Sequence, residues 1–310
     1  MKNFEQPHFS NIPGPKKEED NSKMSRRDFL KKAALFSAMA ILSPKELLGQ
    51  QTKFPELSDD AEIEEISKFI NKHKEPINYA ELWKKETPVL FIGERHTLKS
   101  DKDEIIKSLP EFKKLGVTHL AMEMLQEKQQ KIIDDYLAGK VARDKVLKIF
   151  KNGWNKGPGI PEKYMELIDA AKSNGIRILA IDLYATKAEY YTGKFFRKRN
   201  ANWARIAEAI LKDKKVRILF YCGQSHSGYN KVDDSANEIL KKIGIKSKVV
   251  EFAGGEIASD DPYFFVDKIA KAAQNLKIDQ KKFGLRINSN DDVRGMDYVI
   301  HLPQIEESNI

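Results

Sequence analysis

Four side chains capable of acid–base or metal-binding chemistry lie in or directly after short apolar segments of the chain. Glu94 and His96 lie in the tetrapeptide Gly-Glu-Arg-His, Glu123 lies within an apolar segment, and His226 ends the tetrapeptide Gly-Gln-Ser-His. Two neutral imidazoles and two carboxylates suit a divalent metal, which lowers the pKa of a bound water. Without metal, a histidine can act as general base to water while a carboxylate orients it. The four residues predict a water-activating site, and both routes stay open.

Each of these residues also has an ordinary structural explanation. Glu94 and His96 could be solvated loop residues, and His226 could be a hydrogen-bonded loop residue. Glu123 is harder to explain in this way, because a carboxylate in an apolar strand is costly unless it is paired or coordinated. The repetition of Gly-x-x-His after two apolar segments favours a shared site over four unrelated residues.

Short apolar segments alternate with amphipathic ones along the chain, which predicts an α/β fold. Strands are predicted at 88–92, 117–124, 176–183, 216–221, 248–252 and 298–302. Helices are predicted at 59–73, 101–115, 126–138, 143–151, 162–174, 197–211 and 232–243. This order predicts a mainly parallel sheet with helices on both faces. Ligands bind at the carboxyl ends of the strands in such sheets, so Glu94, His96, Glu123 and His226 are expected to converge there.

Composition excludes several classes of protein. The 310 residues are 41% hydrophobic and 32% charged, as in soluble globular proteins, and a mean hydropathy of -0.55 excludes a polytopic membrane protein. The net charge of +8 is spread along the chain and does not indicate nucleic-acid binding. Cys222 is the single cysteine, which excludes an intramolecular disulfide and a cysteine zinc cluster. We expect it to be a small buried side chain and not a nucleophile.

The N-terminal segment resembles a twin-arginine export signal. Residues 1–24 are polar without apolar periodicity and are expected to be disordered, and Ser-Arg-Arg-Asp-Phe-Leu-Lys follows at 25–31. The next apolar stretch, 33–42, is about half the ~20 residues that span a bilayer, so a permanent membrane span is not expected. The resemblance implies export of a folded protein to the periplasm or cell envelope, with the twin-arginine translocase as partner. The alternative is an amphipathic helix with two surface arginines.

The domain organisation follows from these patterns. We expect residues 1–50 to form a disordered tail and the export signal, and residues 51–310 to form a single α/β domain.

The order of the motifs resembles that of a known superfamily. Gly-Glu-x-His, then a glutamate in an apolar strand, then Gly-x-x-His is similar to the superfamily that includes the haem-binding protein ChaN, the Tiki and TraB proteases and the erythromycin esterases. The segment 123–139 most resembles ChaN, whereas Arg199-Asn200 with Trp203-Ala204 is more similar to TraB and the esterases. The resemblance covers about 88–255 and 297–302, and it implies an erythromycin esterase-like and ChaN-like fold.

The resemblance implies site residues as well as a fold. Glu94, His96, Glu123 and His226 match the motif positions that are catalytic in the hydrolase branches and that would bind a metal if one is used. Arg199 matches a family arginine that could bind an oxyanion or another substrate anion.

The ChaN branch implies haem binding in iron acquisition through a tyrosine ligand. No motif identifies that tyrosine here, although Tyr184, Tyr190, Tyr191 and Tyr229 lie near predicted strand ends.

Two functions stay open. One is an exported water-activating hydrolase, a peptidase or esterase that acts with or without a metal. The other is a haem-binding protein of iron uptake. The expected ligand is a small molecule, a peptide or haem, and no nucleic-acid partner is expected.

Replacing both Arg26 and Arg27 by lysine should trap the protein in the cytoplasm, because the twin-arginine translocase recognises the paired arginines. Immunoblots of cytoplasmic and periplasmic fractions measure this, with Arg143→Lys and Arg177→Lys in the body of the chain as the matched control. Normal export of the Arg26/Arg27 variant would contradict the signal.

Overall fold

The computed structural model describes residues 59–83, 86–153, 159–184, 192–228, 234–255, 265–287 and 296–303. The predicted tail and export signal therefore lie outside the described residues. No helix in the described ranges is long and apolar enough to cross a membrane.

One sheet forms the centre of the described structure. Its strands are β1 Lys74–Glu75, β2 Val89–Glu94, β3 His119–Gln126, β4 Arg177–Asp182, β5 Ile218–Gly223, β6 Ser247–Gly254, β7 Phe283–Arg286 and β8 Tyr298–Leu302. They are ordered β1-β7-β8-β6-β2-β5-β3-β4. The six strands from β8 to β4 are parallel, and β7 pairs antiparallel with both β8 and β1.

Helices cover both faces of this sheet. They are α1 Asp59–His73, α2 Tyr79–Leu82, α3 Lys99–Lys114, α4 Gln130–Leu137, α5 Arg143–Gly153, α6 Pro161–Ser173, α7 Gly193–Ile210, α8 Gln224–Ser227, α9 Ala236–Lys242 and α10 Phe265–Asn275. A short 3-10 helix, Glu127–Gln129, precedes α4.

Alternating side chains of the strands build two separate hydrophobic cores. In β2, Leu90 and Ile92 pack with helices α2 to α6, whereas Val89 and Phe91 pack with α1, α7, α9 and α10. Each fully buried aliphatic or aromatic side chain contributes about 1.5–3 kcal/mol. The two-sided burial confirms the predicted α/β fold, a mainly parallel sheet with helices on both faces.

Several element boundaries differ from those predicted. Helix α7 begins four residues earlier than expected, at Gly193, because the Thr192 hydroxyl accepts a hydrogen bond from the Phe195 amide at 3.2 Å. Helix α9 begins later, at Ala236, where the Ser235 hydroxyl caps the Glu238 amide at 3.2 Å. Helix α10 and the antiparallel strands β1 and β7 were not predicted. Strands of two and four residues carry too little apolar pattern to be recognised from sequence.

The strand order brings the three predicted motifs to one edge. Strand β5 lies between β2 and β3, and Glu94 is in register with Gly223. After β2, the chain forms β3, β4 and β5 on one side of β2 and then crosses to the other side to form β6. The sheet therefore has a topological switch point at β2. The carboxyl ends of strands at such a point are where α/β proteins bind ligands.

Candidate active site

The first part of the site is built around the Glu94 carboxylate at the end of β2. His96 Nδ1 lies 2.6 Å from Glu94 Oε1, and the Tyr164 hydroxyl donates to the same oxygen at 2.7 Å. Lys102 Nζ lies 2.7 Å from Glu94 Oε2 and also donates to the backbone carbonyls of Arg95 and His96 at 2.9 and 2.8 Å. Lys102 thus pairs with the carboxylate by charge and binds the backbone by two hydrogen bonds. The network holds both Glu94 and the backbone that carries His96.

These contacts make His96 more basic than an ordinary histidine. Burial works against the charged form of Glu94, but Lys102 and His96 hold the pKa of Glu94 well below its usual range. Burial likewise opposes protonation of His96, but the charge and hydrogen bond of Glu94 outweigh it and raise the pKa of His96. The His96 side chain is 24% exposed, whereas Glu94 is buried. His96 is therefore a basic imidazole with an oriented ring and partial access to solvent.

The second part of the site is organised by the buried Arg199 of α7. Arg199 Nε and Nη2 donate to the two oxygens of Asp182 at 2.6 and 3.0 Å, and Nη2 also donates to Glu123 Oε1 at 2.7 Å. Arg199 Nη1 lies 3.0 Å from His226 Nε2. One guanidinium therefore links the ends of β3 and β4 to helix α8.

This geometry fixes the proton on His226. A guanidinium only donates, so His226 Nε2 accepts from Arg199, and Nδ1 carries the proton that is donated to Asn200 Oδ1 at 2.6 Å. Burial lowers the pKa of His226 to about 4. The rings of Phe196 and Trp203 pack on the imidazole with centroids 4.5 and 4.6 Å away. His226 is thus a neutral, packed imidazole, unlike His96.

The two carboxylates that contact Arg199 differ in ionisation. Burial opposes ionisation of Glu123, but His226, Arg199 and the Gly223 amide lower its pKa to about 2. Burial raises the pKa of Asp182 to about 6 even though Arg199 opposes this shift. Glu123 is consequently the more firmly ionised of the pair at neutral pH.

Gly223 is the point at which the two parts of the site meet. Its amide donates to Glu123 Oε2 at 2.6 Å, and a Cβ added to Gly223 would lie 2.8 Å from His96 Nε2. Any larger residue would therefore force the His96 side chain to shift. The structure thus brings Glu94, His96, Glu123 and His226 together at one edge of the sheet, as predicted, while their catalytic role stays a prediction.

Sequence reasoning missed several members of this site. Lys102 and Tyr164 come from helices α3 and α6 and belong to no short motif. Asn200 could have been found from its place beside Arg199, since consecutive residues at the start of α7 both face His226. Asp182 at the end of β4 also contacts Arg199 within the site.

The predicted metal ligands do not have the arrangement of a metal site. Within the described residues, no group of three or more His, Cys, Asp and Glu side chains could hold a metal ion. Lys102 pairs with Glu94, and Arg199 pairs with Glu123 while donating to His226 Nε2. Cations at these donors repel a divalent ion, so the donor set does not fit one.

Other candidates have definite positions. Cys222 is fully buried, and burial with nearby carboxylates raises the pKa of its thiol well above the usual value, as expected of a structural residue and not a nucleophile. Arg199 is nearly fully buried among Glu123, Asp182 and His226. Its binding of a substrate anion stays a prediction.

The tyrosines considered as haem ligands are only partly described. Tyr184 follows β4 and is 65% exposed, with Lys128 Nζ 4.0 Å from its ring centroid. Tyr190, Tyr191 and Tyr229 lie outside the described residues.

A family model described as haem-binding uptake, Tiki superfamily, ChaN, matches residues 83–198. The matched segment includes Glu94, His96 and Glu123 and ends one residue before Arg199. The match supports the resemblance of this part of the chain to the ChaN and Tiki superfamily. No curated protein matches the chain in sequence.

Several solved structures are similar. The type III effector HopBA1 has 17% identity, with 69% of this chain and 87% of that chain covered and a TM-score of 0.46. A Bacillus cereus protein has 10% identity, covering 78% and 97% with a TM-score of 0.48. ChaN of Campylobacter jejuni, in a structure described as showing cofacial haem binding, has 14% identity, covering 70% and 88% with a TM-score of 0.41. At such identities the likeness carries no functional argument.

Replacing Arg199 by methionine should lower the free energy of unfolding by about 3–5 kcal/mol, because Glu123 and Asp182 would be left buried without a cation. Urea denaturation followed by circular dichroism measures the change. Arg205→Met is the matched control on the same helix. Arg205 is 65% exposed and pairs with Glu127, so we expect a loss below about 1 kcal/mol. Equal losses in the two variants would contradict the assigned network.

Proposed function

We propose that this protein is a hydrolase in which His96 acts as general base to water. The observation that carries the proposal is the 2.6 Å contact between His96 Nδ1 and the buried Glu94 carboxylate, with His96 Nε2 held beside Gly223 and Glu123. A carboxylate that fixes the imidazole tautomer and stabilises the imidazolium is the arrangement that general-base histidines require.

The proposed reaction forms a bond between water and the carbonyl carbon, breaks the bond to the leaving group and moves one proton through His96. A water molecule attacks the carbonyl carbon of an ester or amide while its proton passes to His96 Nε2. The resulting imidazolium is stabilised by Glu94 through Nδ1 and by the nearby charge of Glu123. His96 then returns the proton to the leaving alcohol or amine as the carbon–oxygen or carbon–nitrogen bond breaks. A peptidase and an esterase both use this chemistry.

The remaining residues hold this arrangement in place. Lys102 and Tyr164 keep Glu94 ionised and oriented, and Arg199 keeps Glu123 ionised at the other side of Gly223. His226 is neutral with its Nε2 occupied by Arg199, which favours a positioning role over that of a second base. Binding of a substrate anion by Arg199 remains part of the proposal.

Haem binding is the second candidate, favoured by the description of the matched family model. Tyr184 offers an exposed phenol at the carboxyl end of β4, and the adjacent Lys128 carries a charge suited to a haem propionate. In this proposal Tyr184 would hold the haem iron and Lys128 would pair with a propionate. Bound haem would supply an iron atom, which the phenolic oxygen of Tyr184 would coordinate.

We also propose export to the periplasm or cell envelope through the twin-arginine translocase. The support is the Ser-Arg-Arg-Asp-Phe-Leu-Lys segment at 25–31 and the short apolar stretch after it.

His96→Ala should lower the rate of hydrolysis by about 10²–10⁴-fold, because the general base is lost. Hydrolysis of p-nitrophenyl acetate and of fluorescein-labelled casein measures the two substrate classes. His119→Ala is the matched control, since His119 lies at the opposite end of β3 and contacts Thr118. Wild-type protein inactive on both probes, or a His96 variant as active as the wild type, would contradict the hydrolase.

Haemin titration followed at the Soret band tests the second candidate. A haem carrier that uses Tyr184 should bind haemin at micromolar protein, lose most of this affinity in Tyr184→Phe and keep it in His96→Ala. Tyr136→Phe, at a tyrosine that donates to Asp169, is the matched control. Absence of binding by the wild type would reject the carrier, and tight binding without hydrolysis would reject the enzyme.

A further inference from the structure

A fourth buried carboxyl group, that of Glu251 in β6, lies beside the site and has no role in the chemistry above. Glu251 is fully buried. A Cβ added to Gly93 would lie 2.2 and 2.3 Å from the two carboxyl oxygens of Glu251. The Glu251 side chain therefore fills the space above Gly93, which explains why the first Gly-x-x-His motif requires glycine.

The hydrogen bonds of Ser227 show which group carries the proton. Ser227 Oγ lies 2.6 Å from the backbone carbonyl oxygen of Gln224 and 2.6 Å from Glu251 Oε1. A carbonyl only accepts, so the single hydroxyl proton of Ser227 is donated to Gln224. The contact with Glu251 then needs a donor, and a protonated carboxyl group supplies it.

The surroundings of Glu251 favour the neutral acid. Burial raises its pKa to about 8, the Gln224 side chain opposes this shift by hydrogen bonding, and Asp101 adds to it. Arg95 from the loop after β2 opposes the shift only weakly, because it is bound to Asp101 at 2.6 Å. Cys222 of β5 is the other titratable group coupled to Glu251, and it is a neutral thiol.

We propose that Glu251 is a positioning residue for His226. In its protonated form, the Glu251 carboxyl group anchors helix α8 to strand β6. Helix α8 is a single turn of four residues that carries both Ser227 and His226. A hydrogen bond from Glu251 to Ser227 holds this turn, and the turn holds His226 against Arg199 and Asn200. Ionisation of Glu251 removes the donor to Ser227 and places a buried charge beside Gly93, so the turn loses its anchor.

The first test detects the protonation of Glu251 through the pH dependence of the melting temperature and needs no activity assay. The ordinary pKa of a glutamate is 4.5, below that of folded Glu251. The stabilisation by the protonated form is therefore complete at low pH and is lost as pH rises towards 8. Glu251→Gln keeps a donor and does not titrate. The melting temperature of this variant minus that of the wild type should rise by about 3 °C per pH unit between pH 5.5 and 7.5.

The second test follows His226 itself. In protein with ¹⁵N-labelled histidine, the NMR chemical shifts of the His226 ring nitrogens should change with a midpoint near pH 8 in the wild type. The Glu251→Gln variant should show no such step. The matched control is Glu104→Gln, at a buried glutamate of α3 that contacts Tyr79 and Lys282 and should retain the step.

The consequence for catalysis rests on the proposed hydrolase. Hydrolysis of p-nitrophenyl acetate should fall above pH 8 in the wild type and in Glu104→Gln, but not in Glu251→Gln. A pH-independent difference in melting temperature or a His226 step retained in Glu251→Gln would overturn the role of Glu251. Absence of hydrolysis with both of those signatures present would reject the hydrolase and leave the positioning role supported.

Discussion

The arrangement of the site depends on the sharing of one buried guanidinium among three partners. Arg199 neutralises Glu123, pairs with Asp182 and donates to His226, and these residues come from two strand ends and a separate helical turn. Buried carboxylates without a cation are costly, so the ends of β3 and β4 can approach each other only with Arg199 between them. The position of α7 over the sheet follows, since this helix carries Arg199, Asn200 and Trp203 on one face.

The histidines of the two Gly-x-x-His motifs thus have opposite electrostatic environments. His96 is bonded to a carboxylate that Lys102 and Tyr164 hold, which makes the imidazole more basic. His226 is bonded to an amide and a guanidinium and is stacked between aromatic rings, which keeps it neutral. The motif glycines have a shared role, because Gly93 makes room for Glu251 and Gly223 makes room for His96.

The convergence of Glu94, His96, Glu123 and His226 could be predicted because parallel strands end at one edge and the residues follow those strands directly. Lys102, Tyr164 and Glu251 could not, because each reaches the site from another element and its local sequence resembles that of any helix or buried strand. Strands β1 and β7 escaped prediction because they are only two and four residues long. The predicted metal set failed to fit because residue types do not reveal that Lys102 and Arg199 already neutralise the carboxylates.

The central claim is that the two motif histidines have different protonation states, with His96 as the base. The most direct measurement is a ¹⁵N NMR titration of both imidazoles between pH 4.5 and 8, with assignments from single His→Ala variants. The account predicts that His96 titrates above the ordinary value of about 6.5 and that His226 stays neutral with its proton on Nδ1 down to about pH 5. Titration of His226 near 6.5, or a proton on its Nε2, would contradict it.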